Sequence, residues 1–257
     1  AKKPLLIIGS QTMLLADQVE KLHQALDSLG IPFYLAGMAR GLAGVESRYQ
    51  MRQSRKEALR ESDCVVLLGL PCDFRLDYGR HIAVTTRLIA VNRSRQDLMK
   101  NRRPQLAIHG DPGTFLLMAA DIIGEVVPPD PEARLNWIEQ LRQRDQAREE
   151  EIIKQAQATT LHINPLKLCQ ELEKILPDNA ILIADGGDFV GTASYILRPR
   201  NPLSWLDPGP FGTLGIGAGF ALGAKLCRPE SEVWVIYGDG SVGYIMMLLF
   251  SLCRDIL

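Results

Sequence analysis

The sequence has 257 residues, 46% of them hydrophobic, enough apolar material for one large or two ordinary domain cores. Its net charge of −1 provides no global basic field to hold a nucleic acid or an anionic membrane, so recognition has to be local. The five cysteines, Cys64, Cys72, Cys169, Cys227 and Cys253, form no C-x-x-C pair and have no histidine at zinc-ligand spacing, which reads as reduced thiols in an intracellular soluble protein.

In chain order, "PLLIIG" (4–9), "IPFYLA" (31–36), "DCVVLLGL" (63–70), "RLIAVN" (87–92) and "LAIHGD" (106–111) read as buried strands. Val19, Leu22, Leu26 and Leu29 recur at helical spacing between the first two, and a helix over 115–123 follows the last. Continuous rather than alternating apolar runs, separated by amphipathic helices, predict a parallel sheet covered on both faces. Residues 1–126 are therefore expected to form a Rossmann-like α/β domain. A linker over 127–160 carries prolines and then "RQRDQAREEE", a charge run expected on a solvated helix face. A second α/β unit, 161–257, follows with helix "PLKLCQELEKIL", strand "AILIAD" (180–185), a glycine-rich helix, strand "EVWVIYGD" (232–239) and a helix cut by the chain end. Three elements do not close a doubly wound sheet, so this second domain is expected to be incomplete. The start "AKKPLLIIGS" is too short for a signal peptide, and no run reaches the roughly 18 apolar residues that span a bilayer.

Open α/β sheets bind ligands at the carboxyl ends of strands. After strand 180–185 comes "ADGGDFVGT", where Gly186 and Gly187 let backbone amides approach a ligand before a helix N-terminus. After strand 232–237 comes "GDGS", where Asp239 offers a hard oxygen to a cation while Gly240 and Ser241 offer N–H groups to its anion. Together these describe a metal-diphosphate site. The competing reading makes Asp239-Gly240 a tight turn and Asp185 and Asp188 helix caps. Between them, "GPFGTLGIGAGFALGAKL" carries glycines that cost helix stability unless backbone packs closely, against a cofactor or another helix.

The order of these motifs, with GTLG about 25 residues before a strand and GDGS, resembles the cofactor domain of thiamine-diphosphate enzymes of the acetolactate synthase and 2-hydroxyacyl-CoA lyase superfamily. The preceding unit looks like their central domain, and the resemblance covers nearly the whole chain. It implies a Rossmann-like central domain followed by an incomplete α/β thiamine-diphosphate-binding domain. It also implies that Asp239 ligates Mg²⁺, and that Asp185, Gly187, Asp188, Phe189, Gly238, Gly240 and Ser241 belong to the diphosphate site. Gly212, with Thr213 beside it, would present its carbonyl to the aminopyrimidine, and Leu214 would hold the two cofactor rings in a bent conformer. The chemistry is then the cofactor's: its ylid attacks a carbonyl and its ring accepts the electrons of the broken C–C bond.

The asparagine with which the family completes its metal site would fall near position 265 and its activating glutamate before Ala1, so this chain by itself is expected to be inactive, with no catalytic residue of its own. The helix after Tyr244, "IMMLLFSLCRDIL", is more apolar than the family pattern. The implied substrate is a 2-hydroxyacyl-CoA, cleaved to an aldehyde and formyl-CoA. The alternatives are an acetolactate synthase-type carboligase and a non-catalytic binding or dimerisation module. A homodimer or tetramer is implied, at the endoplasmic reticulum membrane through an anchor outside this chain. An FAD or ADP-type nucleotide at the first domain is a further implied ligand. "IIGSQT" (7–12) lacks G-x-G-x-x-G and reads as a packing turn, while Cys72-Asp73-Phe74 with Arg75 is weighed as a contact for an acyl-CoA nucleotide against an ordinary polar loop. The four histidines, His23, His81, His109 and His162, show no pairing with a nucleophile and read as structural.

Overall fold

The computed structural model describes residues 1–123 and 130–246. The first unit runs β1 (Pro4–Ile8), α1 (Val19–Leu29), β2 (Phe33–Leu35), β3 (Gln50–Met51), α2 (Arg55–Glu61), β4 (Cys64–Leu68), β5 (Arg87–Asn92), α3 (Arg95–Leu98), β6 (Leu106–His109) and α4 (Pro112–Ile123). Its six strands are all parallel in the order β3-β2-β1-β4-β5-β6, the doubly wound arrangement expected from the buried runs. Alternation along β1 feeds two cores. Leu5 and Ile7 join Met51, Val65 and Leu88 on one face, while Leu6 and Ile8 join Leu22, Leu26, Phe33 and Leu116 on the other.

Helix α5 (Pro131–Ala156) opens with Asp130, whose side chain accepts from the Ala133 N–H, and with Pro131 in its first turn. The charged face predicted for this segment is its outer one. Its inner face buries Trp137, Ile138 and Leu141 in the first core and Ile152 in the core of the second unit. The Trp137 Nε1–H donates to the Pro4 carbonyl at 3.0 Å. At 26 residues this helix runs about 39 Å and packs against both units.

The second unit contains α6 (Pro165–Ile175), β7 (Ile181–Asp185), α7 (Gly187–Ile196), β8 (Trp205–Leu206), α8 (Gly217–Cys227), β9 (Val233–Tyr237) and α9 (Asp239–Gly243). Its described strands form a parallel sheet in the order β8-β7-β9, with β7 central and wholly buried. The apolar stretch predicted as a terminal helix lies, from residue 247 on, outside the described residues, as do 124–129 of the linker. Among the described residues no helix is long and apolar enough to cross a membrane.

Two arginines of the first unit fasten the second. Arg52 Nη2 donates to the carbonyls of Tyr195, Ile196 and Leu197 at 3.3, 3.1 and 3.0 Å, and Arg40 Nε donates to Ser194 O at 3.3 Å. These are the last carbonyls of α7, which its own backbone cannot satisfy. Asp145 of α5 supports Arg52 from behind by accepting its backbone N–H and that of Gln53.

Candidate functional site

The two glycine-bearing strand ends, β7 into α7 and β9 into α9, lie side by side because β7 and β9 pair in register from Ile181↔Val233 to Asp185↔Tyr237. A cavity of about 450 Å³ opens there, lined by the turns at 186–189 and 238–241, by Thr192 and Leu214, and by Pro165 at the start of α6. The structure thus brings together Gly187, Asp188, Phe189, Leu214, Gly238, Asp239, Gly240 and Ser241 of the predicted site. Gly212 and Thr213 are exposed and form no part of this wall. Gly186, read from sequence together with Gly187 as a close backbone approach to a ligand, is on this wall as well. Pro165 and Thr192 were not singled out from sequence; Pro165 sits on a distant element and carried no signal.

The glycines divide into two kinds. Gly186 takes φ +105, and a Cβ there would lie 2.7 Å from Ser241 Cβ; one on Gly215 would strike Tyr244 Cβ, and one on Gly217 the Tyr237 ring, each at 2.8 Å. These glycines are explained by close packing within the chain. Gly187 and Gly240 line the cavity, and a Cβ on either would meet nothing within 4 Å. Both face open space on the cavity wall, and Gly187, at φ +53, is in addition in a backbone conformation that favours glycine. Gly219 and Gly223 of α8 likewise meet nothing, as do Gly209 and Gly212, so among the described residues the close contact expected from the glycine run forms only at Gly215 and Gly217.

Asp185 has a different place from the one expected. It is fully buried, and its carboxylate accepts from Gly215 N at 3.2 Å, Gly217 N at 2.7 Å and the Ser241 hydroxyl. Both oxygens are consumed inside the protein, so this residue ties the glycine segment to the GDGS turn from beneath and does not line the cavity. The Ser241 N–H, expected to face an anion, donates instead to Gly238 O at 3.0 Å. The capping role weighed for Asp185 and Asp188 is not used either: Gly186 is the N-cap of α7 and no side chain caps it. Tyr237, packed against Gly217, buries a hydroxyl with no partner among the described residues, and burial with the neighbouring Asp185 charge pushes its phenol up to about 12.

The cavity's electrostatics are set by Asp188 and Asp239, both exposed on its wall, with no Lys or Arg among the lining residues. The N–H groups of the first turn of α7, at Gly187, Asp188 and Phe189, have no intrahelical acceptors and favour an anion. An anion facing two carboxylates needs a cation between them. Among the described residues no three His, Cys, Asp or Glu side chains converge on a metal-sized point, so a cation held here would need further ligands from the anion and from water.

At the first sheet the switch point between β1 and β4 is closed by packing. A Cβ on Gly9 would lie 2.7 Å from Gly69 O, and Gln11 hydrogen-bonds Asn92 Oδ1 and the Arg93 N–H. Arg75, weighed as a nucleotide contact, is held by Asp73 through Nε and Nη2, the shortest contact 2.7 Å, so that loop satisfies itself.

Residues 1–118 match the family model described as thiamine pyrophosphate enzyme, central domain, and residues 185–256 match that of the C-terminal TPP binding domain. The chain is 49% identical over 253 residues to 2-hydroxyacyl-CoA lyase 2 of Bos taurus, an alignment covering 96% of this chain and 39% of that protein. It is 45% identical over 253 residues to 2-hydroxyacyl-CoA lyase 2 of Caenorhabditis elegans, with the same two coverages. It is 31% identical over 255 residues to the acetolactate synthase large subunit IlvG of Mycobacterium tuberculosis, covering 99% of this chain and 45% of that one. The chain therefore spans less than half the length of these curated relatives.

Proposed function

The chain belongs to the thiamine pyrophosphate enzymes, and from that premise we propose that it is the central and diphosphate-binding portion of a lyase that cleaves 2-hydroxyacyl-CoA to an aldehyde and formyl-CoA. On this reading residues 1–126 are the central domain, 161–257 carry the cofactor site, and 127–160 join them. Identity near half with proteins named as 2-hydroxyacyl-CoA lyases, against 31% with an acetolactate synthase, favours the lyase over the carboligase.

The residues present fit the diphosphate end of the cofactor. The α7 N-terminus and the bare Gly187 and Gly240 offer space and N–H donors, Asp239 provides a carboxylate toward Mg²⁺, and Asp188 deepens the need for that ion. Thiamine diphosphate supplies, when bound, the carbon nucleophile and the electron sink for C–C cleavage. The chain's own part is positional. Asp185 fixes Gly215, Gly217 and Ser241 so that both turns hold one spacing. Leu214, 42% exposed, and Phe211, 93% exposed, leave an apolar rim, which supports a second chain covering it in a homodimer or tetramer.

The observation that carries the reading is an acidic, glycine-lined cavity at a helix N-terminus with no cationic side chain on its wall. Calorimetric titration of thiamine diphosphate is expected to give saturable heat with Mg²⁺ and none with EDTA. Asp239→Ala should weaken the Mg²⁺-dependent binding at least tenfold; equal affinities for the two proteins would remove the metal role. Incubating the longer protein that contains this chain with a 2-hydroxyacyl-CoA, and separately with pyruvate, then identifying products by mass spectrometry, separates lyase from carboligase.

A further inference from the structure

Between Gly212 and the start of α8 the chain forms neither helix nor strand, and Leu214 is the one residue of this stretch on the wall of the diphosphate cavity. A buried cluster beneath it fixes its place. The Gly215 N–H, one residue along, donates both to Asp185 Oδ1 at 3.2 Å and to Ser241 Oγ at 3.1 Å, and the Ser241 hydroxyl donates in turn to Asp185 Oδ1. Gly215 takes φ +82, and a Cβ there would lie 2.8 Å from Tyr244 Cβ, so its backbone is confined between the carboxylate and the end of α9.

Membership of this cluster changes what Ser241 can do. The residue is 2% exposed, its N–H donates to Gly238 O and its O–H to Asp185, so neither donor is left for an anion. Holding the start of α8 needs only Gly217 N on Asp185 Oδ2, at 2.7 Å. The Gly215 bond reaches further. Leu214 and Asp239 are separated along the chain by all of α8 and β9, yet a single hydrogen bond joins Leu214-Gly215 to Asp239-Gly240-Ser241. The hydroxyl therefore holds the apolar side chain and the carboxylate of one cavity at a set separation.

We propose that Ser241 is a positioning residue, whose hydroxyl sets Leu214 against the part of the ligand that lies beyond its diphosphate, a role that rests on the reading of this cavity as a thiamine diphosphate site. Inorganic pyrophosphate consists of the diphosphate alone, whereas thiamine diphosphate adds an aromatic remainder. The two glycine turns act on both molecules, and Leu214 acts on the second only. Ser241 then belongs with Leu214 in its effects, not with Asp239.

Calorimetric titration of this chain with pyrophosphate and with thiamine diphosphate, both in Mg²⁺, gives the ratio of the two affinities and tests this. In S241A the preference for thiamine diphosphate is expected to fall about fivefold or more, as in L214A. Once Leu214 is already alanine, S241A should lower it by less than about twofold further, because the two residues act as one unit. A preference unchanged in S241A, whether both affinities hold or both fall together, would overturn the role, as would losses that multiply in the double variant. If the unaltered chain binds pyrophosphate with Mg²⁺ but shows no preference for thiamine diphosphate, the positioning role fails while the diphosphate site stands; binding of neither removes both. Should S241A not fold, S241C keeps the bulk, replaces the hydroxyl by a weak donor and acceptor, and makes the same comparison.

Discussion

Two cavities, the one of about 450 Å³ at the glycine turns and one of about 380 Å³ between the ends of β2 and β3 and the end of α7, sit at opposite ends of one helix and have opposite chemistry. Helix α7, ten residues and about 15 Å long, starts at a wall carrying Asp188 and Asp239 and ends at a wall carrying five arginines. Each sign matches the helix dipole, acidic at the positive end and basic at the negative end. The match explains one charge at each end, Asp188 in the first turn and Arg52 on the last carbonyls. What remains over differs: the acidic end keeps Asp239 besides Asp188, whereas the basic end keeps arginines that pin no carbonyl of α7. The difference also appears in how each end is built. The acidic end is held from beneath by a buried carboxylate, and the basic end by guanidinium groups reaching across from another unit.

The largest expected break in this comparison comes from Asp185→Ala. Gly217 N and the Ser241 hydroxyl lose their acceptor at once in a buried site, and Gly215 N is left with Ser241 Oγ alone, at 3.1 Å. A loss of about 3–5 kcal/mol is expected in urea unfolding, with Asp185→Asn recovering part of it. A loss below about 1 kcal/mol would show that the two turns hold together without the carboxylate.

At the other end, Arg52→Met keeps much of the side-chain bulk and removes the hydrogen bonds to Tyr195, Ile196 and Leu197. The cost is expected to be smaller, about 2–3 kcal/mol, because the freed carbonyls border a cavity that water reaches. Hydrogen exchange should place the change at the end of α7 and in the chain behind it. A global loss equal to that of Asp185→Ala would contradict the asymmetry between the two ends.

How much of this was legible in the sequence follows from how locally each feature is encoded. The parallel strands of the first unit were visible because strands buried on both faces are continuous apolar runs, as in "PLLIIG" and "DCVVLLGL". The pairs Gln50–Met51 and Trp205–Leu206 were too short to show a pattern. Trp137, Ile138 and Leu141 mark the inner face of α5, yet the charge run beside them reads as a solvated linker. At the site, glycine turns and Asp239 were legible as a motif. The turning inward of Asp185 was not, since a strand-end carboxylate looks the same in sequence whether it meets a ligand or buried amides. The arginine cavity was invisible because Arg40 and Arg198 meet only through tertiary packing.

Gly240→Ala isolates ligand space from protein packing, and its effect on folding is the smallest expected. A Cβ at this position meets no protein atom within 4 Å, and the residue lies in the first turn of α9, where alanine is the better helix former. Stability should therefore stay level or rise by less than about 1 kcal/mol. The added methyl would nevertheless occupy the cavity wall between Asp239 and Ser241, so Mg²⁺-dependent diphosphate binding should weaken about tenfold. Unchanged diphosphate affinity in a protein of unchanged stability would mean that the bare glycine faces solvent, not a ligand. The acidic cavity would then keep its carboxylates without its cradle.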